Sequence, residues 1–180
     1  MARTGTPRSA AQAFVDHLNA VLNATVSDAR LSLLALPDDE RAFEITRLID
    51  GRRAPLELLG SQLRLFLRHT IVVFDGHCQT ESYAYRLQGD QISASWLLRW
   101  EYFRSPPRPD YPYPLAHLHV NGAFANNKPI APLHIPASRV PLESVLWHLI
   151  AEWGIAPRTD AWQTILSESA DGFHERRTAP

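Results

Sequence analysis

The sequence predicts an α+β fold with an N-terminal helix, an antiparallel β-meander and two C-terminal helices packed on the sheet. Three observations carry this. Apolar residues recur at helical spacing only near the two ends of the chain. The middle alternates apolar and polar residues or runs through β-branched ones, as in "LRLFLRHTIVV". Gly, Asp and Pro punctuate those runs at short intervals. Residues 1–180 read as one domain with no internal repeat, and residues 1–8 and 171–180 read as flexible tails.

In chain order, Ser9 followed by Gln12 resembles a capping box, and Ala10, Ala13, Phe14, His17, Leu18, Val21 and Leu22 form one helical stripe. Two short apolar runs around "PDDE" read as strand, turn, strand, with Gly51 closing the second. Residues 62–75 form a long strand, and "DGHC" after it a turn. "ESYAYRLQ" and "SWLLRWEYF" then make a hairpin around "GD". In its second strand Trp96, Leu98, Trp100 and Tyr102 share one face, and Arg99, Glu101 and Phe103 the other. "SPPRPDYPYP" lacks the ladder donors of a central strand and reads as a rigid link. After it, Ala116, Leu118 and Val120 are expected toward the core, with His117 and His119 opposite. "NGAFANNKP" is a long loop. Leu142, Val145, Leu146, Leu149, Ile150 and Trp153 mark a strong helix that starts after Pro141 and stops at Gly154. A weaker one follows, capped by Thr159 or Asp160, with Trp162, Ile165 and Leu166 inside.

Composition narrows the function classes. Net charge is −1, so any polyanion site must come from local clustering. Cys78 is the only cysteine, which excludes an internal disulfide and cysteine-based zinc motifs. No window approaches the roughly 18 apolar residues of a membrane span, and "MARTGTPRSA" lacks a signal-peptide core, so a cytoplasmic setting is expected and no membrane partner.

The chemistry concentrates in "HLHV". Residues i and i+2 of a strand lie roughly 7 Å apart on one face, so His117 and His119 can converge on one bound group. Imidazoles exchange protons near neutral pH, and such a pair can cleave RNA without metal by activating a 2′-hydroxyl and protonating the leaving oxygen. If strand pairing follows chain order, Arg86 and Arg99 share that face and can hold the phosphate, with Glu101 beside Arg99 to orient a histidine. The competing reading is a polar sheet face turned to water. A third takes His117, His119 and His134 as ligands of a divalent metal such as zinc; against it, no carboxylate follows shortly after the histidine pair. A fourth is a non-enzymatic module that binds a protein partner through Trp100, Tyr111 and Tyr113. "GRRAP" is a basic turn, Cys78 has no activating neighbour in sequence, and His148 sits off its helix's apolar stripe.

"SYAYRLQ", "LLRWEY" and "YPLAHLHV" before an amphipathic helix resemble the TumE-like bacterial toxins of toxin–antitoxin systems. The likeness spans residues 75–153. Members tend to show a Tyr-x-Tyr strand, a strand with arginine, an aromatic and an acidic residue, a proline-rich link and a His-x-His strand. Onto this chain the resemblance carries Tyr83 and Tyr85, then Arg99, Trp100 and Glu101, then His117 and His119. Tyr102 stands where the family often has an amide. The resemblance implies a ribonuclease with an RNA substrate, no cofactor, and an antitoxin partner that is often a helix-turn-helix protein. In that scheme His117, His119, Arg99, Glu101 and Tyr85 are catalytic, and Arg86, Trp100 and Tyr83 bind substrate. A homodimer is compatible with the sequence.

Overall fold

The computed structural model describes residues 6–89, 96–121 and 133–178, with side chains as far as residue 171. The expected tail residues 1–5, most of the "GD" loop and nearly all of "NGAFANNKP" lie outside these. The architecture is the α+β arrangement read from the sequence: a helix, a sheet that is antiparallel at every described pairing, and two C-terminal helices.

Helix α1 (Pro7–Thr25) starts earlier than the Ser9–Gln12 pair suggested. Thr6 is the cap, its Oγ1 accepting the Ser9 N–H at 3.3 Å, and Pro7 takes the first turn, where a missing donor costs nothing. Gln12 donates instead to Asp16, one turn on. Ala11, Val15, Leu18 and Leu22 are the stripe's buried centre and Ala13 is exposed, so the face is rotated by about one residue from the sequence reading.

Strands β1 (Ser32–Ala35) and β2 (Ala42–Thr46) flank the "PDDE" turn as expected. The short strands β3 (Leu48–Ile49) and β4 (Arg52–Arg53) form a separate hairpin, and β5 (Leu56–Glu57) pairs with β6 (Arg64–Phe74). Asp50 and Gly51 both have positive φ, the backbone that a two-residue hairpin turn demands. Asp75 and Gly76 repeat this between β6 and β7 (His77–Gln88), so β7 begins inside the "DGHC" expected as a turn. Arg53 of the "GRRAP" turn is engaged: it donates to the fully buried Glu44 at 2.6 Å, and Arg68 donates to the other oxygen at 2.7 Å. The two guanidiniums hold the Glu44 carboxyl below its usual range although burial works against this.

From β6 the sheet runs in chain order through β7, β8 (Trp96–Phe103), β9 (Ala116–Val120) and β10 (Leu133–Pro136). One face carries Leu65, Leu67, His69, Ile71, Val73, Tyr83, Tyr85, Leu87, Leu98 and Trp100 into the core. Helix α2 (Leu142–Ala151) supplies Leu142, Val145, Leu146 and Leu149 to the same core. Each such buried side chain stabilises by about 1.5–3 kcal/mol. Gly154 at φ 66 ends the α2 segment, and Trp153 falls beyond the helix and is exposed. Helix α3 (Trp162–Thr178) follows Thr159, whose Oγ1 accepts the Ala161 N–H, and continues helical through most of the stretch read as a tail. The buried Glu143 ties the helices together: it accepts the Ser169 hydroxyl of α3 and lies 3.7 Å from His17 of α1. Among the described residues no helix is long and apolar enough to cross a membrane.

Candidate functional site

Strand pairing builds the site. Across the face turned away from the helices, one row reads Phe66, Arg86, Arg99, His119, His134 from β6 to β10. The next reads Arg68, Ala84, Glu101, His117, Pro136. Directly paired residues on antiparallel strands stand about 5 Å apart, so each row is a line of touching side chains. Arg86, Arg99, Glu101, His117 and His119 therefore share one surface, as period-two alternation requires.

The histidines are not on a wet face. His117 is 1 % exposed and His119 5 %, while Leu118 and Val120 pack against the core as expected but are half-buried. The cover comes from the proline-rich link and from Trp96. Tyr111 lies 6.3 Å from His117 between ring centres, and Tyr113 stacks on His134 at 3.7 Å with the rings parallel within 3°. Trp96 meets His119 edge-on at 6.2 Å. Its presence here departs from the expected face: a register shift pairs Leu87 with Leu98 but Gln88 with Trp96, and this bulge turns Trp96 toward Arg99.

Within the cluster, Glu101 Oε2 is the hub. It lies 2.8 Å from His119 Nε2, 3.3 Å from His117 Nε2 and 2.9 Å from Arg99 Nη2. Arg99 Nη2 also lies 3.0 Å from His119 Nε2. The Pro114 carbonyl accepts a hydrogen bond from His117 Nδ1 at 2.7 Å, which assigns a proton to Nδ1 and points Nε2 at the hub. The ligand atoms of His117, His119 and His134 lie within 4.8 Å of one another. The carboxylate missing after the histidine pair in sequence is thus supplied by the preceding strand, opposite His117. Burial, then Arg99 and His117, push His119 down to about 4 against the pull of Glu101. Burial also lowers His134, with His117 and Arg99 adding to it. Arg86 is lowered by burial and by Arg99 beside it, and its guanidinium caps the Phe66 ring at 4.6 Å.

The remaining candidates do not join this cluster. Tyr83, Tyr85 and Trp100 point to the opposite face and lie in the core. The Tyr85 hydroxyl is hydrogen-bonded to His69 Nδ1 at 2.8 Å, and His69 Nε2 to the Thr80 hydroxyl at 2.9 Å. Tyr83 stacks on Tyr85 and accepts the Val140 N–H. Trp100 meets His148 edge-on, so His148 is half-buried rather than solvated. The Tyr85 and Tyr83 assignments fail at this site for a simple reason: alternation puts their strand positions on the face that the helices cover. What the sequence reading missed is the Pro114 carbonyl, which no side-chain pattern could signal, and the turn of Trp96.

Comparison with protein-family models, curated proteins and solved structures yields no match. The reading of the site rests on its own geometry.

Proposed function

We propose that the protein is a cytoplasmic, toxin-like enzyme that cleaves phosphodiester bonds in RNA at the His117–His119–Glu101–Arg99 centre. The observation that supports it is the row that sets two guanidiniums, Arg86 and Arg99, beside imidazoles that contact a shared carboxylate. Cleavage through a 2′-hydroxyl needs a proton acceptor, a proton donor and positive charge at the phosphate. The two imidazoles move the protons, and Glu101, touching both, orients them. Arg99 holds the developing charge, and Arg86 extends the positive strip by one strand. Tyr85 takes no part in this scheme, because its hydroxyl is committed to His69 in the core. A partner protein laid over the sheet face turned away from the helices would silence the enzyme, which is where an antitoxin would act.

The test is induction of the intact gene in bacteria beside His119→Ala, followed by incubation of both purified proteins with RNA and with the same oligonucleotide made of DNA. Growth arrest with RNA loss, absent in the variant and absent on DNA, is the expected result. RNA loss that persists in His119→Ala moves the activity elsewhere; an intact RNA pool and uncleaved oligonucleotide remove the reading.

A further inference from the structure

The hub at Glu101 crowds several nitrogen and oxygen atoms onto one buried point. His117 Nδ1 donates to the Pro114 carbonyl, and its Nε2 points at the carboxylate oxygen 3.3 Å away, with the Tyr111 hydroxyl at 3.5 Å. His119 Nε2 sits 2.8 Å from the same oxygen and 3.0 Å from Arg99 Nη2. A bare His119 Nε2 suits Arg99, which can only donate, but opposes its lone pair to those of the carboxylate. A protonated one suits the carboxylate but meets the arginine donor head-on. Buried polar atoms left opposed in this way are costly. A single cation among the imidazole nitrogens and the carboxylate oxygen would satisfy those acceptors in place of Arg99.

We propose that His117, His119, His134 and Glu101 bind one divalent first-row transition-metal ion. Three imidazole nitrogens and a carboxylate oxygen are the donor set of zinc, iron or manganese centres and not of magnesium or calcium, which take oxygen. Two ligands about 2.1 Å from a tetrahedral ion stand about 3.4 Å apart. The Glu101–His117 contact of 3.3 Å already has that spacing, the 2.8 Å contact to His119 must open by about 0.6 Å, and the imidazole nitrogens, within 4.8 Å of one another, must close toward it. Outer supports are in place too. The Pro114 carbonyl fixes the His117 tautomer, and Tyr113 fixes the plane of His134. Arg99 supplies positive charge from the rim, so it competes with the ion and does not ligate it. Were a water to join the four protein ligands as a fifth, the bound ion would lower that water's pKa and act as an electrophile. The inference shares residues with the proposed RNA cleavage, but it stands on donor geometry whether or not RNA is the substrate; a nitrogen that holds the ion cannot also carry a proton, so the metal site and the metal-independent scheme are alternatives.

The experiment uses the full chain after stripping with a chelator, titrated with Zn²⁺ by calorimetry, with Co²⁺ by visible absorption and with Mg²⁺ for comparison. One equivalent of Zn²⁺ and of Co²⁺ should bind, and Mg²⁺ should not compete. His134 lies on an edge strand outside the core, so His134→Ala should keep its melting curve without metal while losing at least tenfold in Zn²⁺ affinity. Arg99→Gln should bind Zn²⁺ at least as tightly as the wild type. Absence of saturable Zn²⁺ binding, or equal affinity in His134→Ala, would overturn the metal site. RNA cleavage that persists in the stripped protein without Zn²⁺ binding would do so while leaving the acid–base scheme standing. One equivalent of Zn²⁺ lost in His134→Ala, with no RNA cleaved, supports the metal site and removes only the RNA reading.

Discussion

The two faces of one sheet hold buried histidines in opposite conditions. On the helix side, His69 is hydrogen-bonded to the Tyr85 hydroxyl through one ring nitrogen and to the Thr80 hydroxyl through the other. Both nitrogens are satisfied, and burial, with Arg139 adding to it, pushes its pKa down to about 3, so the ring is neutral. On the open side, His117 and His119 converge on one carboxylate with an arginine at their edge. The first ring has both nitrogens matched by neighbouring hydroxyls; the second pair points nitrogens at an atom that other groups also face. That difference, and not burial, separates the two sites.

The comparison can be broken most sharply at His119. His119→Ala should lower RNA cleavage by about 10²- to 10⁴-fold, the range for loss of a positioned proton carrier. Its thermal midpoint should stay within a few degrees of wild type, as read by a melt of the same sample. His69→Ala should do the reverse, costing about 2–4 kcal/mol in denaturant unfolding through the cavity and the orphaned Tyr85 and Thr80 hydroxyls. Activity per folded molecule should be unchanged; equal loss of activity in both variants would erase the distinction.

Acid provides the third lever. The unfolded chain protonates His69 near pH 6.5, whereas the folded protein does so only near 3. The unfolded state therefore takes up the proton first, and stability present above pH 6.5 is lost as pH falls toward 3. At pH 4.5 the loss from this group is about 2–3 kcal/mol. Denaturant midpoints from pH 7 to 4.5 should follow this slope, and His69→Met should flatten it. An unchanged slope in that variant would assign the acid limb to carboxylates such as Glu143, whose hydrogen bonds to His17 and Ser169 keep its pKa low against its burial. The smallest effect belongs to Arg86, one strand from the histidines. Arg86→Gln should raise KM for RNA roughly three- to tenfold, about 1 kcal/mol, with kcat little changed; a kcat loss as large as that of His119→Ala would put Arg86 at the reacting phosphate.

Much of this architecture was legible in the residues. Helical spacing located the three helices, and alternation assigned Arg86, Arg99, Glu101, His117 and His119 to one side of neighbouring strands. Period two is a local property of extended chain, and hairpin connections keep consecutive strands adjacent, so both follow from sequence. The same rule put Tyr83, Tyr85 and Trp100 on the opposite face, although the family resemblance had grouped them with the site. Alternation cannot tell which face will be covered. That His117 and His119 are buried depends on where a proline-rich link comes to rest, and that Glu101 completes their set depends on the β8–β9 register across that same link, which the residue pattern did not fix. The bulge that turns Trp96, and the Pro114 carbonyl that holds the His117 tautomer, are set by backbone geometry and leave no mark in side-chain chemistry. The sequence determined which residues could meet. The tertiary structure decided which of them meet away from water, where a lone pair without a proton becomes a place for a cation.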